Sequence, residues 1–357
     1  MTTVASFEIP YFSYLKQVTA QGSAIEHTSL TEAELIKLYS VMQLTRLFDE
    51  KAIALQRTGK MGTYASSRGQ EAIGAAIGHA MQSDDVFVPY YRDYAAQLQR
   101  GVSMLDLYNY WGGSEWGNHY ADNAEDLPIC VPIASQCLHA AGVATAFKLR
   151  KQKRVAVTTL GEGGTSEGDF YEALNVAGVW HLPLVFIVNN NQWAISVPLS
   201  KQTASQTIAQ KAVSAGFAGE QVDGNDVIAL RERIAVALEK ARSGKGPTLI
   251  EALTYRLCDH TTADDASRYR SAEEYQEAEK HEPILQLRHY LQSHHNWQDN
   301  DEQRLIKHCK LQIEQTVEAY LSKKTAPVTD MFDYHFESLT KPLEEQRQQA
   351  LEEVNHG

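Results

Sequence analysis

The chain of 357 residues has only four cysteines, Cys130, Cys137, Cys258 and Cys309, and none stands in a CxxC or zinc-ligand spacing. That pattern excludes a disulfide framework and a structural zinc site, and it suits reduced thiols in a cytoplasmic protein. Long hydrophobic runs are missing too. The apolar stretch "LPLVFIV", Leu182 to Val188, falls far short of the roughly 20 residues a membrane span needs. The first segment, "MTTVASFEIPYFSYLKQ", carries Glu8 and Pro10 where a secretory signal would be unbroken and apolar. There is no basic cluster, and the net charge of −12 argues against a nucleic-acid partner, which would need a positive surface. Internal repeats and low-complexity tracts are also absent.

What is present is an alternation of strand-like and helical runs, which predicts a parallel sheet in an α/β fold. Thr31 and Glu34 form a capping-box pair ahead of a helix running to Gly59. Then come "DVFVPYY", a helix after Ser135, "RVAVTTL", a helix after Asp169 with Glu172 completing a box, and "LPLVFIV". Asp226 caps a further helix closing at Gly244, and "PTLIEALTYR" supplies another buried strand. The expected fold is a doubly wound, mostly parallel sheet with an N-terminal helical arm and a C-terminal helical region. Its expected divisions are an arm and long helix over 1–60, an α/β core over 61–275 and a helical region with tail over 276–357. The stretch 257–275 lacks apolar periodicity and reads as a long functional loop within the core, and "KKTAPVTD" breaks the tail.

The sharpest local signal is "LGEGGTSEGD" at 160–169, a carboxylate between glycines where a buried strand gives way to a helix. In parallel sheets such turns bind ligands. A dinucleotide fingerprint fails, because its third glycine would fall on Ser166 and Glu162 would face the pyrophosphate. A P-loop fails because no Gly-Lys-Ser/Thr follows. An acid beside a phosphate makes sense with a metal between them, and the next strand runs into "NNNQWAIS" at 189–196. Glu162, an asparagine oxygen and a backbone carbonyl would make a half-shell for Mg²⁺, a hard ion that takes few carboxylates and shares phosphate oxygens. The alternative is that the asparagines only cap turns.

This order of Gly-acid-Gly, helix, and strand ending in Asn-Asn resembles the signature of thiamin-diphosphate enzymes. With "GEGGTSEGDFYEALNVAGVW", "NNNQWAISVP", "VDGNDV", "GPTLIEALTYR" and "DHTTADDASRYRS", the chain is similar to alpha subunits of the two-chain 2-oxo acid dehydrogenases, the decarboxylating component of the pyruvate and branched-chain complexes. The resemblance implies Glu162, Asn191 and the carbonyl of Trp193 as Mg²⁺ ligands. It implies Tyr91 and Arg92 of "VPYYRDY" and Arg256 at the diphosphate, with Gly161, Gly163 and Gly164 letting the backbone approach it. Ile133 of "VPIASQ" would prop the cofactor's rings, His260 would act near the diphosphate and the reacting centre, and Tyr64 would lie near the substrate.

Two departures stand out. Most thiamin enzymes have Asp at the position of Glu162, and where mammalian relatives carry a regulated serine after the loop histidine this chain has Thr261, so phosphorylation is not expected. The implied reaction is decarboxylation of a 2-oxo acid, followed by transfer of the acyl group to the lipoyl arm of the acyltransferase component. The implied partner is a beta subunit that supplies the activating glutamate, in an alpha2beta2 heterotetramer. Pyruvate is the expected substrate; branched-chain oxo acids and acetoin are the alternatives. A non-catalytic assembly subunit would show a broken cofactor set, which this chain does not.

Overall fold

The computed structural model describes residues 8–15, 28–121, 125–323 and 326–356, and the chain divides into two compact units, Met1–Thr316 and Val317–Gly357. Part of the expected break "KKTAPVTD" falls outside the described residues. Helix α1, Glu32–Arg57, starts on the expected capping box: the Thr31 N–H donates to Glu34 at 2.8 Å and the Glu34 N–H to the Thr31 hydroxyl at 3.4 Å. It stops before Gly59, whose φ of 69° breaks the helix without a Cβ penalty.

The main sheet has the strands β1 (Tyr11–Phe12), β2 (Val86–Val88), β3 (Ala156–Gly161), β4 (Leu184–Asn190), β7 (Ala218–Asp223) and β8 (Thr248–Leu253), while β5 (Trp193–Ala194) and β6 (Val197–Pro198) form a small antiparallel hairpin. Among the described residues the sheet order is β1-β7-β8-β4-β3-β2, and every pairing in it is parallel. The strands are apolar on both faces because both faces are covered. Val185 and Ile187 pack on one side with α1, α2 (Glu71–Ala80) and the helix that Asp226 caps, whereas Leu184, Phe186 and Val188 pack on the other with α3 (Ser135–Leu149) and α4 (Gly168–Val179). The crossovers through α3 and α4 thus cover one face and α5, with α1 and α2, the other, and parallel sheets covered in this way bind ligands at the carboxyl ends of their strands.

Asp226 caps its helix, α5 (Val227–Arg242), by accepting from the Ala229 N–H at 2.9 Å, and it also accepts from the Leu15 N–H at 2.5 Å. That second bond ties down an N-terminal segment whose Tyr11 pairs with Gln221, so the arm contributes an edge strand that sequence patterning does not reveal. The start of α4 also differs from expectation. A tight 3-10 turn, Glu162–Ser166, intervenes after β3, and the helix begins at Gly168 behind Glu167 with no side-chain cap. Asp169 therefore sits in the first turn, where its charge favours the helix dipole, and does not cap. Among the described residues all four cysteines are free, and no helix is long and apolar enough to cross a membrane.

Candidate active site

β3 and β4 end side by side, with Gly161 paired to Asn189. The chain leaves one strand through the 3-10 turn and the other through a left-handed kink at Gln192, φ 74°. Glu162 lies between them at 1% exposure. Its two oxygens each receive one hydrogen bond, Oε2 from the Asn191 N–H at 3.2 Å and Oε1 from the Gln202 amide at 3.3 Å. Both oxygens keep lone pairs free. Burial raises the pKa of this carboxyl above its ordinary value, with the hydrogen bonds and the charge of Arg256 opposing.

The three asparagines have three different fates. Asn189 donates to the Tyr90 hydroxyl at 2.7 Å and Asn190 donates to Glu251 at 2.7 Å. Asn190 also accepts from the Gln192 N–H at 3.4 Å, so turn capping falls to this residue. Asn191 is the one that lines the cleft: its Oδ1 accepts from the Trp193 N–H at 3.2 Å and its Nδ2 donates to Gln70 at 3.2 Å. The Trp193 carbonyl accepts from Arg256 at 3.1 Å. Among the described residues no three His, Cys, Asp or Glu cluster to hold a metal, so the cleft offers one carboxylate, one amide oxygen and one carbonyl instead.

Facing these oxygens are two buried guanidinium groups. Arg92, 4% exposed, donates to the carbonyls of Ser66 at 2.6 Å and His260 at 2.7 Å. Arg256, fully buried, spends its donors on the carbonyls of Trp193, Ile195 and Cys258, the Tyr269 hydroxyl and His260. It therefore offers the cleft its charge more than a spare N–H. No salt bridge joins either arginine to a carboxylate among the described residues, and the charge of Arg256 reaches Glu162 and Asp264 only at longer range, so both buried charges lack a direct counter-ion, which is costly. His260 Nδ1 lies 3.1 Å from Arg92 and 3.4 Å from Arg256. Burial first, then the two cations, lower its pKa to about 3, so the ring is neutral with its proton on Nε2. The Arg92 guanidinium also sits 5.1 Å from the Tyr91 ring, whose edge meets His260. The cleft so formed encloses ≈ 240 Å³.

The model of the family described as "Dehydrogenase E1 component" matches residues 39–329. The chain belongs to the dehydrogenase E1 component family. Curated relatives named "Pyruvate dehydrogenase E1 component subunit alpha" include one from Staphylococcus epidermidis RP62A at 38% identity, one from Bacillus subtilis 168 at 39% and one from Staphylococcus aureus Mu50 at 37%. Each match spans 89% of this chain and 86% of the relative. Membership implies thiamin diphosphate as cofactor, and with it a complex with a beta subunit and an acyltransferase.

In this E1 chain all the expected site residues except Tyr64 line the one cleft. Ile133 is 49% exposed there, which rules out an ordinary core role, and the left-handed Ala134, φ 65°, turns the chain beside it. Gly163 and Gly164 are close-packed: a Cβ on the first would meet the Ala194 Cβ at 2.6 Å and one on the second Ile133 at 3.1 Å. Tyr64 is fully buried elsewhere, stacked 5.5 Å from Tyr94 with its hydroxyl on Asp49, and meets the site's loop through Thr262, whose hydroxyl accepts from the Tyr64 N–H at 3.0 Å and whose N–H donates to the Tyr64 carbonyl at 2.9 Å. Gln70, Gln202 and Tyr90 are contributors that sequence motifs do not flag, because buried amides and phenols have no fixed spacing to the groups they hold.

Proposed function

We propose that this chain is the alpha subunit of a pyruvate dehydrogenase component: it anchors thiamin diphosphate through Mg²⁺ in the β3–β4 crevice and acts on a small 2-oxo acid, and the acyl group passes to the lipoyl arm of the acyltransferase. The observation that carries this reading is the charge arrangement. Two buried guanidinium groups and a buried carboxylate line one cleft with no direct salt bridge among them, only the longer-range field of Arg256 on Glu162, and a metal diphosphate would satisfy both kinds of charge. The donor set fits, since carboxylate, amide and carbonyl oxygens are hard ligands suited to Mg²⁺. A Cβ at Gly161 would meet nothing within 4 Å, so the cleft reaches the backbone itself.

Glu162, Asn191 and the Trp193 carbonyl would hold the metal, and Arg92, with N–H donors to spare, would grip the diphosphate. Thiamin diphosphate, when bound, supplies the electron sink that decarboxylation needs. Ile133 would press on its rings from the cleft wall. His260, whose Nδ1 faces the two arginine donors, would carry its proton on Nε2 and serve as a hydrogen-bond donor. The activating glutamate would come from the beta subunit in an alpha2beta2 assembly.

The test uses the chain co-purified with its beta partner. Asn191→Ala removes a charge-assisted contact of roughly 1.5–3 kcal/mol, so calorimetry in Mg²⁺ should show thiamin diphosphate affinity falling about 10- to 100-fold. Unchanged affinity would remove the metal-ligand role. In a lipoyl-acylation assay pyruvate should outrun 2-oxoisovalerate, and acetoin should not react; the reverse order would reassign the substrate.

A further inference from the structure

An asparagine amide can show a cation either its oxygen or its NH₂, and only the oxygen binds. At Asn191 the orientation can be read from the backbone, because the Trp193 N–H, an unambiguous donor, lies 3.2 Å from Oδ1. Nδ2 must then face the interior, where Gln70 Oε1 receives it at 3.2 Å. The same Oε1 accepts from the Tyr90 hydroxyl at 3.2 Å, and that hydroxyl accepts from Asn189 at 2.7 Å. Gln70, Tyr90 and Asn189 are all buried. The Gln70 Nε2 has no partner among the described residues, a cost that a leucine or methionine would avoid. Gln70 is therefore suited to its place by its acceptor oxygen and not by its donor.

We infer that Gln70 is a positioning residue: it takes the NH₂ of Asn191 and so holds Oδ1 on the side of the Trp193 backbone, as a metal ligand must be held. The inference rests on the reading of Asn191 as a metal ligand. Partners of this kind typically govern metal affinity by 10- to 100-fold.

The experiment titrates Mn²⁺, as a paramagnetic stand-in for Mg²⁺, into the co-purified subunits at saturating thiamin diphosphate, and reads free Mn²⁺ by electron paramagnetic resonance. Gln70→Met, close in volume but lacking the acceptor, should raise the half-saturating Mn²⁺ roughly 10- to 100-fold. Gln70→Glu, which keeps an acceptor oxygen, should recover most of that loss and serves where the methionine variant does not fold. In an Asn191→Asp background both ends of the side chain are oxygens, so orientation is irrelevant and Gln70→Met should cost less than about threefold, a non-additivity specific to neighbouring groups that act together. Equal losses in both backgrounds would reduce Gln70 to packing and overturn the inference. An effect of Asn191→Ala with none of Gln70→Met would overturn it while leaving the metal site standing. No effect of Asn191→Ala would remove the metal reading itself.

Discussion

Gly161 and Gly163 flank Glu162, yet the structure gives a methyl group opposite consequences at the two positions. At Gly163 the new Cβ would stand 2.6 Å from the Ala194 Cβ, about 1 Å inside ordinary carbon contact. The turn after β3 must then move away from the β5 hairpin, an overpacking that costs roughly 1–3 kcal/mol. At Gly161 the new Cβ meets nothing, and the backbone there, φ −75° and ψ 159°, is ordinary for any residue. Removing glycine's freedom from the unfolded chain should stabilise the apo protein by about 0.4–1 kcal/mol. Because Gly161 lines the cleft, the same methyl should obstruct the diphosphate and lower affinity on the order of 10- to 100-fold. Thermal melts of the apo assembly paired with calorimetric titration of thiamin diphosphate in Mg²⁺ separate the two effects. Gly161→Ala should melt no lower than the parent and bind poorly; Gly163→Ala should melt lower. A Gly161→Ala protein with parental affinity would refute the placement of the diphosphate at the end of β3.

Two further predictions concern protons. His260, with a pKa lowered to about 3, should stay neutral when followed by imidazole NMR from pH 9 down to 5; a midpoint near 6.5 would show that the two arginines do not control it. Since the unfolded state binds the proton more readily, His260 should also lower stability as pH falls from about 6.5 toward 3, a slope His260→Gln removes. Asp49 has the opposite sign: burial lifts its pKa to about 6 against hydrogen bonds from Tyr64, Ser66 and Ser67. The folded state then holds the proton more tightly, so stability falls as pH rises from about 4 to 6, by roughly 3 kcal/mol. Asp49→Asn should flatten that slope in denaturant titrations, and an unchanged slope would reject the assignment.

The chemistry of the crevice is legible in the sequence because its signals are local. A carboxylate between glycines at a strand end, and asparagines ending the next strand, sit within a few residues of the turns that present them. The parallel sheet follows from the same patterning, since apolar runs alternating with helices imply it, whereas the edge strand β1 and the order of the strands do not. What supports these groups is not legible. Gln70 meets Asn191 across 121 positions and Glu162 is held by Gln202 across 40; an amide has no periodicity that announces its partner. Tyr64 shows the complementary failure: an aromatic near a site suggests a pocket wall, but Asp49 and Tyr94 draw it into the interior. Asp169 fails as a cap because a 3-10 turn, whose length no propensity fixes, uses the intervening residues.

The division between floor and rim explains why cofactor anchoring is easier to read here than substrate choice. The floor is charged and buried: Glu162, Arg92 and Arg256 are each under 5% exposed, so their identities are dictated by one another. The rim is apolar and open, with Val131, Ile133 and Ile195 each between 48% and 55% exposed, and Ile195 is held at a left-handed φ of 54°. A non-glycine residue persists in that conformation only where its surroundings over-determine it, at a cost of order 1–3 kcal/mol. On the proposed reading the floor grips the charged tail of the coenzyme, while the rim meets its rings and awaits the beta subunit. The groups that distinguish pyruvate from a branched oxo acid would then sit on the partner's side of an apolar seam. That explains why Tyr64, the one expected substrate residue in this chain, can lie buried without costing the site anything.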